Sequence, residues 1–330
     1  MICPGWGKWD AHMKKNGSIK DLSVYIVGVG GAGSNSINRL KGMGVHDAET
    51  IAVNTDRAHL IQITADKRML IGGNYTAGLG AGGDPNIGQD CAEHAWKQFC
   101  NFFKDANLVF VIAGLGGGTG TGAAPVIVEN ARRQGAMVVA IVTMPFSSEL
   151  KTKRRLALSG LKKIECYANS TIVLENDRLL NVAPNMSVNQ AFAMMDSLTS
   201  NIVKSVTETV TCNSLMNLDF NDLRTVLETG GVSTIITGES RIDEPEKAVH
   251  DATSNPFLDV NLTGARSALI HLTGGEDMSI LKLNQVLNMM TSELDPEANV
   301  ILGARVHPSY NHRIKLLSIV TGLGKNRITS

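Results

Sequence analysis

Four clusters in this sequence bring together residue types suited to phosphate or carboxylate chemistry. The first is Gly28-Val-Gly-Gly-Ala-Gly33, a GxGxxG between the short β-branched run SVYIVGV (23–29) and the helix-period segment SNSINRLKGMG. Small residues let backbone N–H groups approach a phosphate, and a helix N-terminus favours negative charge. Alone, this turn serves a dinucleotide fold, with Asp56 where a ribose-binding acid can sit, or simply a tight strand-to-helix turn. The second is Gly114-Leu-Gly-Gly-Gly-Thr-Gly-Thr-Gly122, again between a strand-like run and a helical one. Such a run forms a nest of N–H donors, to which the hydroxyls of Thr119 and Thr121 can add. No Lys follows, so this is not a Walker A loop. Two cradles on one sheet suggest a di- or triphosphate gripped from two sides.

The third cluster is Thr76-Ala-Gly-Leu-Gly-Ala-Gly-Gly-Asp-Pro85, a non-periodic stretch that reads as a loop closing over a nucleotide or as plain surface. The fourth is Asn217-Leu-Asp219-Phe-Asn-Asp222-Leu-Arg. Carboxylates at i and i+3 project from one helical turn and can orient a water or a metal near a phosphate. The same pair at N-cap and N3 is also ordinary helix-start chemistry.

Positioning these loops requires a parallel sheet. Short apolar runs TIAVNT (50–55), LVFVIAG (108–114), AMVVAIVTM (136–144) and STIVLEN (170–176) follow the first strand and alternate with helix-period segments. Strands of this kind are covered on both faces, and ligands bind beyond their carboxyl ends, where the glycines cluster. Ser187 and Gln190 form an S-x-x-Q capping box. It opens a helix carried by Val188, Ala191, Phe192, Met195, Leu198, Ile202 and Val206. A helix running to about Val210 is about 36 Å long, enough to bridge two domains or simply to be buried. Beyond Thr225, VSTIITG (232–238), ARSALIHLTG (265–274), NVILGARV (299–306) and IKLLSIVTG (314–322) alternate with helices over 244–254 and 278–293. The expected division is an N-terminal extension (1–22), a nucleotide domain (23–186), a central helix (187–210) and a smaller α/β domain (211–330).

Composition narrows the class. The 330 residues hold 31 Lys plus Arg against 31 Asp plus Glu, so net charge is zero. That argues against attachment mainly through nucleic-acid backbones or anionic lipid. The longest apolar runs reach about eight residues, whereas a membrane span needs about 20. The polar first 23 residues lack the apolar core of a signal peptide, so a cytoplasmic protein is expected. Five cysteines without a CxxC pair, and eight histidines without ligand spacing, point to buried thiols and no structural metal site.

With these residues in hand, the chain resembles the FtsZ family, tubulin-like GTPases of prokaryotic cell division, from about Ser23 to Gly322. Gly116-Gly-Gly-Thr-Gly-Thr-Gly122 looks like the family's signature loop. GVGGAGSN (28–35), AVNTD (52–56), GLGAGGDPNIG (78–88), NDRLL (176–180) and NLDFNDLRTVL (217–227) follow the family's order, in wording closest to archaeal members. The resemblance implies a tubulin-like α/β pair of domains and GTP or GDP, with Mg²⁺, across the two loops. It implies phosphate contacts from Gly31, Ala32, Gly33, Ser34, Asn35, Ala81, Gly82, Gly117, Gly118, Thr119 and Gly120. Glu149 matches the ribose-side acid, and Phe192 and Asp196 the guanine contacts. Asn217, Asp219 and Asp222 match the loop that reaches the neighbouring subunit's nucleotide. Head-to-tail homopolymers, a division ring and membrane-tethering division proteins as partners are implied too.

The chain departs from the family pattern at Met144, where Arg is usual, and at Lys153, which replaces an Arg and is followed by Arg154. Lys is a point charge and Arg a bidentate fork, so the phosphate contact there falls to either residue. The sequence ends at Ser330 without the tail that carries the family's tether-binding peptide; either the protein lacks that tail or it was cut away. Two further readings stay open at this stage. One is an NAD(P)-linked oxidoreductase, which lacks an obvious catalytic His or Tyr-x-x-x-Lys pair. The other is a tubulin-like regulator without hydrolysis, against which Asp219 and Asp222 argue.

Overall fold

The computed structural model describes residues 22–45, 47–211, 215–216, 218–228, 232–254 and 262–323. The expected N-terminal extension up to residue 21, Cys3, Cys212 and Asn217 lie outside them. In chain order the elements are β1 (Val24–Val29), α1 (Gly30–Gly42), β2 (Glu49–Asn54), α2 (Arg57–Ile61), β3 (Lys67–Leu70), α3 (Gly73–Thr76), α4 (Pro85–His94), α5 (Trp96–Phe103), β4 (Leu108–Gly114), α6 (Gly118–Arg133), β5 (Met137–Met144), α7 (Lys151–Glu165), β6 (Ser170–Glu175), α8 (Arg178–Val182), α9 (Val188–Thr211), α10 (Phe220–Glu228), β7 (Val232–Arg241), α11 (Pro245–Thr253), β8 (Ser267–Gly274), α12 (Ile280–Thr291), β9 (Asn299–Val306) and β10 (Arg313–Leu323).

The strands form one ten-stranded sheet in the order β3-β2-β1-β4-β5-β6-β7-β10-β8-β9. The first six are parallel. β7 continues from β6 through the pair Thr171 and Val232, while β10 runs antiparallel to β7 and β8. The sheet is therefore parallel where the glycine loops lie and mixed beyond β6, as the α/β pair of domains requires.

Alternation along each central strand feeds two cores. Ile26, Phe110, Val139 and Ile141 point to one side with Ile37 and Leu40 of α1 and Met195, Ile202 and Val206 of α9. Val27, Val111, Val138 and Ala140 point to the other, with Phe99, Phe103, Ile127 and Leu161. Burying each large side chain contributes about 1.5–3 kcal/mol. The α9 side of the core continues without a break to Leu269, Leu316 and Ile319.

The capping box at the start of α9 forms: Ser187 N–H donates to Gln190 Oε1 at 3.1 Å, and Gln190 N–H donates to Ser187 Oγ at 3.4 Å. Phe192 departs from the expected apolar stripe; it is 45% exposed. β3 is absent from the sequence reading because KRML carries an edge rather than a core pattern. Lys67 and Arg68 face solvent, as charged residues on edge strands do. Cys91, Cys100 and Cys166 carry thiols rather than a disulfide; contrary to the expectation of buried thiols, Cys166 is exposed.

Candidate nucleotide cleft

A cleft of about 320 Å³ opens beyond the carboxyl ends of β1, β4 and β5. The strand order reverses between β1 and β4, and in open α/β sheets that switch point is where a ligand crevice forms. Gly31, Ala32 and Gly33 line one wall and Gly116, Gly117, Gly118, Thr119 and Gly120 another. Neither α1 nor α6 has a side-chain cap or an acid in its first turn. Their terminal N–H groups are orphans of the helix geometry, and the residues that carry them line the cleft, where a helix N-terminus favours an anion.

Close backbone approach explains the glycines. A Cβ at Gly28 would collide with the Gly33 carbonyl, and one at Gly120 with the Gly114 carbonyl. Gly116 adopts φ 102°, which L side chains rarely do. The two threonines are partly committed to the scaffold. Thr121 Oγ1 accepts from Gly116 N–H at 2.8 Å and braces the loop, and Thr121 is not part of the cleft lining. Thr119 Oγ1 lies 2.6 Å from Thr55 Oγ1.

Four expected phosphate contacts do not line the cleft. The Ser34 hydroxyl is buried without a partner among the described residues. Asn35 is turned to His59, 3.1 Å away. Ala81 packs beneath Gly118, and Gly82 lines a neighbouring cavity between α4, α6 and α7. Asp56 accepts from His59 N–H at 3.0 Å and caps α2, which accounts for it without a ribose.

The other end of the cleft is built on α9. Phe192, Met195 and Asp196 line it, and the Phe192 ring meets Phe146 edge-on at 5.9 Å. Asp196 Oδ1 accepts from Ser36 Oγ at 2.9 Å. One turn on, Ser200 Oγ donates to the Ser36 carbonyl at 3.3 Å. Another turn on, Lys204 Nζ donates to the Met43 carbonyl at 2.9 Å. This ladder of four-residue steps clamps α9 along α1 and aims Asp196. Burial pushes the Asp196 carboxyl above its usual range, opposed by the Ser36 hydroxyl and the Arg39 charge. Thr143 and Asn176 also line the cleft, and Asn176 Oδ1 is buried without a partner among the described residues. Ser36, Thr143 and Asn176 were missed as candidates; each reaches the cleft through tertiary packing.

Between these ends, Glu149 accepts from Phe146 N–H at 2.9 Å and from Lys153 Nζ at 2.9 Å, and both Glu149 and Lys153 line the cleft. Arg154 is turned to Glu175 at 3.4 Å and is not part of the lining. Asp219 and Asp222 lie elsewhere and cap α10 reciprocally: Asp219 N–H donates to Asp222 Oδ2 and Asp222 N–H to Asp219 Oδ1, each at 2.9 Å.

A paired glycine-loop cradle at the switch point of a parallel sheet defines a nucleotide-binding α/β protein. The profile of the Tubulin/FtsZ family, GTPase domain, matches residues 23–184, and that of the FtsZ family, C-terminal domain, matches residues 231–324. The chain is 45% identical over 307 residues to cell division protein FtsZ 2 of Methanocaldococcus jannaschii, covering 92% of this chain and 80% of that one. It is 41% identical over 321 residues to FtsZ 1 of Pyrococcus furiosus, covering 97% and 86%. Among solved structures, the empty FtsZ dimer of M. jannaschii superposes with TM-score 0.84 at 40% identity, over 91% of this chain and 88% of that one. The chain belongs to the FtsZ family of tubulin-like cell-division GTPases. That assignment removes the oxidoreductase reading and agrees with the archaeal wording of the motifs. CetZ2 of Haloferax volcanii, solved as a GTPγS-bound protofilament, shares the fold at TM-score 0.78 and 21% identity, over 93% of this chain and 95% of that one.

Proposed function

We propose that this GTPase binds GTP in the described cleft, assembles head to tail and hydrolyses the nucleotide at the contact between subunits, building a filament at the division site. The observation that carries this is the separation of the two halves of the site. Asp196 lies near the start of α9, and from it to the end of the helix at Thr211 is about 22 Å. Asp219 and Asp222 follow beyond that end and are absent from the cleft lining. They meet a γ-phosphate only when a second subunit presents them. A contact between unlike faces is heterologous and need not close, so repetition yields a filament.

In this reading the nucleotide domain spans 23–186, α9 connects, and the region from 211 supplies the acting loop. The N-terminal N–H groups of α1 and α6 hold the phosphates, Glu149 the ribose side, and Phe192 and Asp196 the base. Lys153 offsets phosphate charge. The partner's loop positions the attacking water, so catalysis is placement plus electrostatics. Among the described residues no cluster of three His, Cys, Asp or Glu side chains can hold a metal. Mg²⁺ would enter with the triphosphate and offset its charge. No described helix is long and apolar enough to cross a membrane. Tethering division proteins are the partners that would place the filament at a membrane.

Sedimentation tests the assembly. The protein should pellet with GTP and Mg²⁺ and stay in the supernatant with GDP or ATP. Equal pelleting with all three nucleotides, or none with GTP at high protein concentration, would refute GTP-dependent assembly.

A further inference from the structure

Asp196 is a side chain whose hydrogen-bonding character depends on its protonation. An ionised carboxylate only accepts, whereas a carboxylic acid both donates and accepts. Guanine offers two neighbouring donors on its Watson–Crick edge, N1–H and the 2-amino group, and matches the carboxylate. Adenine offers an acceptor at N1 beside the 6-amino donor, and matches the acid. A base pocket built on one carboxyl therefore prefers guanine only while that carboxyl is ionised, and a half-buried site works against ionisation.

The structure supplies a counterweight. Ser36 is 3% exposed, lines the cleft, and donates from Oγ to Asp196 Oδ1 at 2.9 Å. The alternative acceptor for that hydroxyl, the Ala32 carbonyl, is farther away at 3.3 Å. We propose that Ser36 is a positioning residue that sets purine specificity: its hydroxyl aims Asp196 and favours its acceptor-only form, so guanine is preferred over adenine through neutral pH. This rests on the assignment of Asp196 to the base made above.

The charged groups around Asp196 are few. Arg39 on α1 favours the ionised form. Glu149 and Lys153 across the cleft are paired with each other at 2.9 Å, and Lys204 on α9 is engaged with the Met43 carbonyl. With the Ser36 hydroxyl removed, burial is opposed by Arg39 alone. The carboxyl then takes up a proton at a higher pH, and guanine preference fades as pH falls. His59 stands 3.1 Å from Asn35 beside the first glycine loop; both nucleotides share that loop, so any effect of the imidazole cancels in the ratio of their affinities.

The experiment measures Kd for GTP and ATP by competition with a fluorescent GTP analogue on dilute protein, from about pH 5 to 8. Wild type, Ser36→Ala, Ser36→Thr and Asp196→Asn are compared. Wild type should prefer GTP roughly a hundredfold at neutral pH. Ser36→Ala should cut that ratio about tenfold and lose it at a higher pH than wild type. Ser36→Thr, which keeps a hydroxyl, should restore both the ratio and its pH profile. Asp196→Asn, which cannot ionise, should give a low ratio that does not change with pH. A wild-type ratio and profile in Ser36→Ala, or an equal loss of both nucleotides with the ratio unchanged, would overturn the role of Ser36 and leave Asp196 in place. A wild-type ratio near one would overturn the Asp196 assignment and the inference with it.

Discussion

Asp222 caps a helix and is also the residue expected to act on a neighbour's nucleotide, and the two roles predict different sizes of effect. Asp222→Ala removes the acceptor for Asp219 N–H at 2.9 Å. Asp219 is exposed, so water replaces that acceptor and no buried donor is stranded. Loss of such a cap costs about 1 kcal/mol, a melting shift of at most about 3 °C in a chain of this size. A protein with about 5–15 kcal/mol of stability stays folded after that loss. A carboxylate positioned on a reacting water is worth about 10²–10⁴-fold in rate. Asp222→Asn separates the two roles, because its amide oxygen still accepts from Asp219 N–H but carries no charge. Both variants should bind GTP and pellet as polymer, and both should release phosphate at least a hundredfold more slowly. Only Asp222→Ala should melt early. Wild-type phosphate release from Asp222→Asn polymers would show that the carboxylate is a cap and nothing more.

Other consequences follow from named contacts. Lys153→Arg should keep or raise turnover, since a fork replaces a point charge, while Lys153→Ala should weaken GTP binding about fivefold to tenfold. Arg154→Ala should instead lower stability by about 1–2 kcal/mol, because Glu175 loses its partner; a loss of GTP affinity confined to Arg154→Ala would hand the phosphate contact to that residue. His271 on β8 is 4% exposed, and burial, with Arg305 and Lys315 nearby, holds its pKa down to about 4. The unfolded chain binds a proton there below about 6.5 and the folded one does not, so stability is full above that pH and falls as pH drops toward about 4. The loss is about 3 kcal/mol. Urea unfolding of wild type and His271→Leu across that range should show the slope in wild type only; parallel curves would remove His271 as its source.

The parts of the fold that could be read from the chain are those where one local pattern has one physical cause. β1, β4 and β5 are continuous apolar runs because both faces are covered, and the glycine loops stand where the backbone approaches itself closely. The start of α9 was legible because Ser187 and Gln190 satisfy each other locally. β3 was not, since Lys67 and Arg68 sit on an edge that needs no apolar signature. The roles of the threonines were also hidden: whether Thr121 serves a ligand or braces Gly116 depends on a turn that only the folded loop defines. Ser36 on α1 and Asn176 just after β6 reach the cleft through packing, and neither residue type by itself signals a ligand. Phe192 shows the reverse case. Its spacing placed it in the apolar stripe, while the start of α9 tips it toward Phe146 and the cleft.

The claim that the active site is completed by a second subunit is tested most directly by phosphate release from GTP measured over a wide dilution series, with sedimentation run on the same samples. Release per subunit should rise steeply with protein concentration, track the pelleted fraction and become negligible when the protein is dilute. Release per subunit that stays flat across the series, in samples without sedimentable polymer, would mean that one chain carries the whole site and that Asp219 and Asp222 reach their own nucleotide or none.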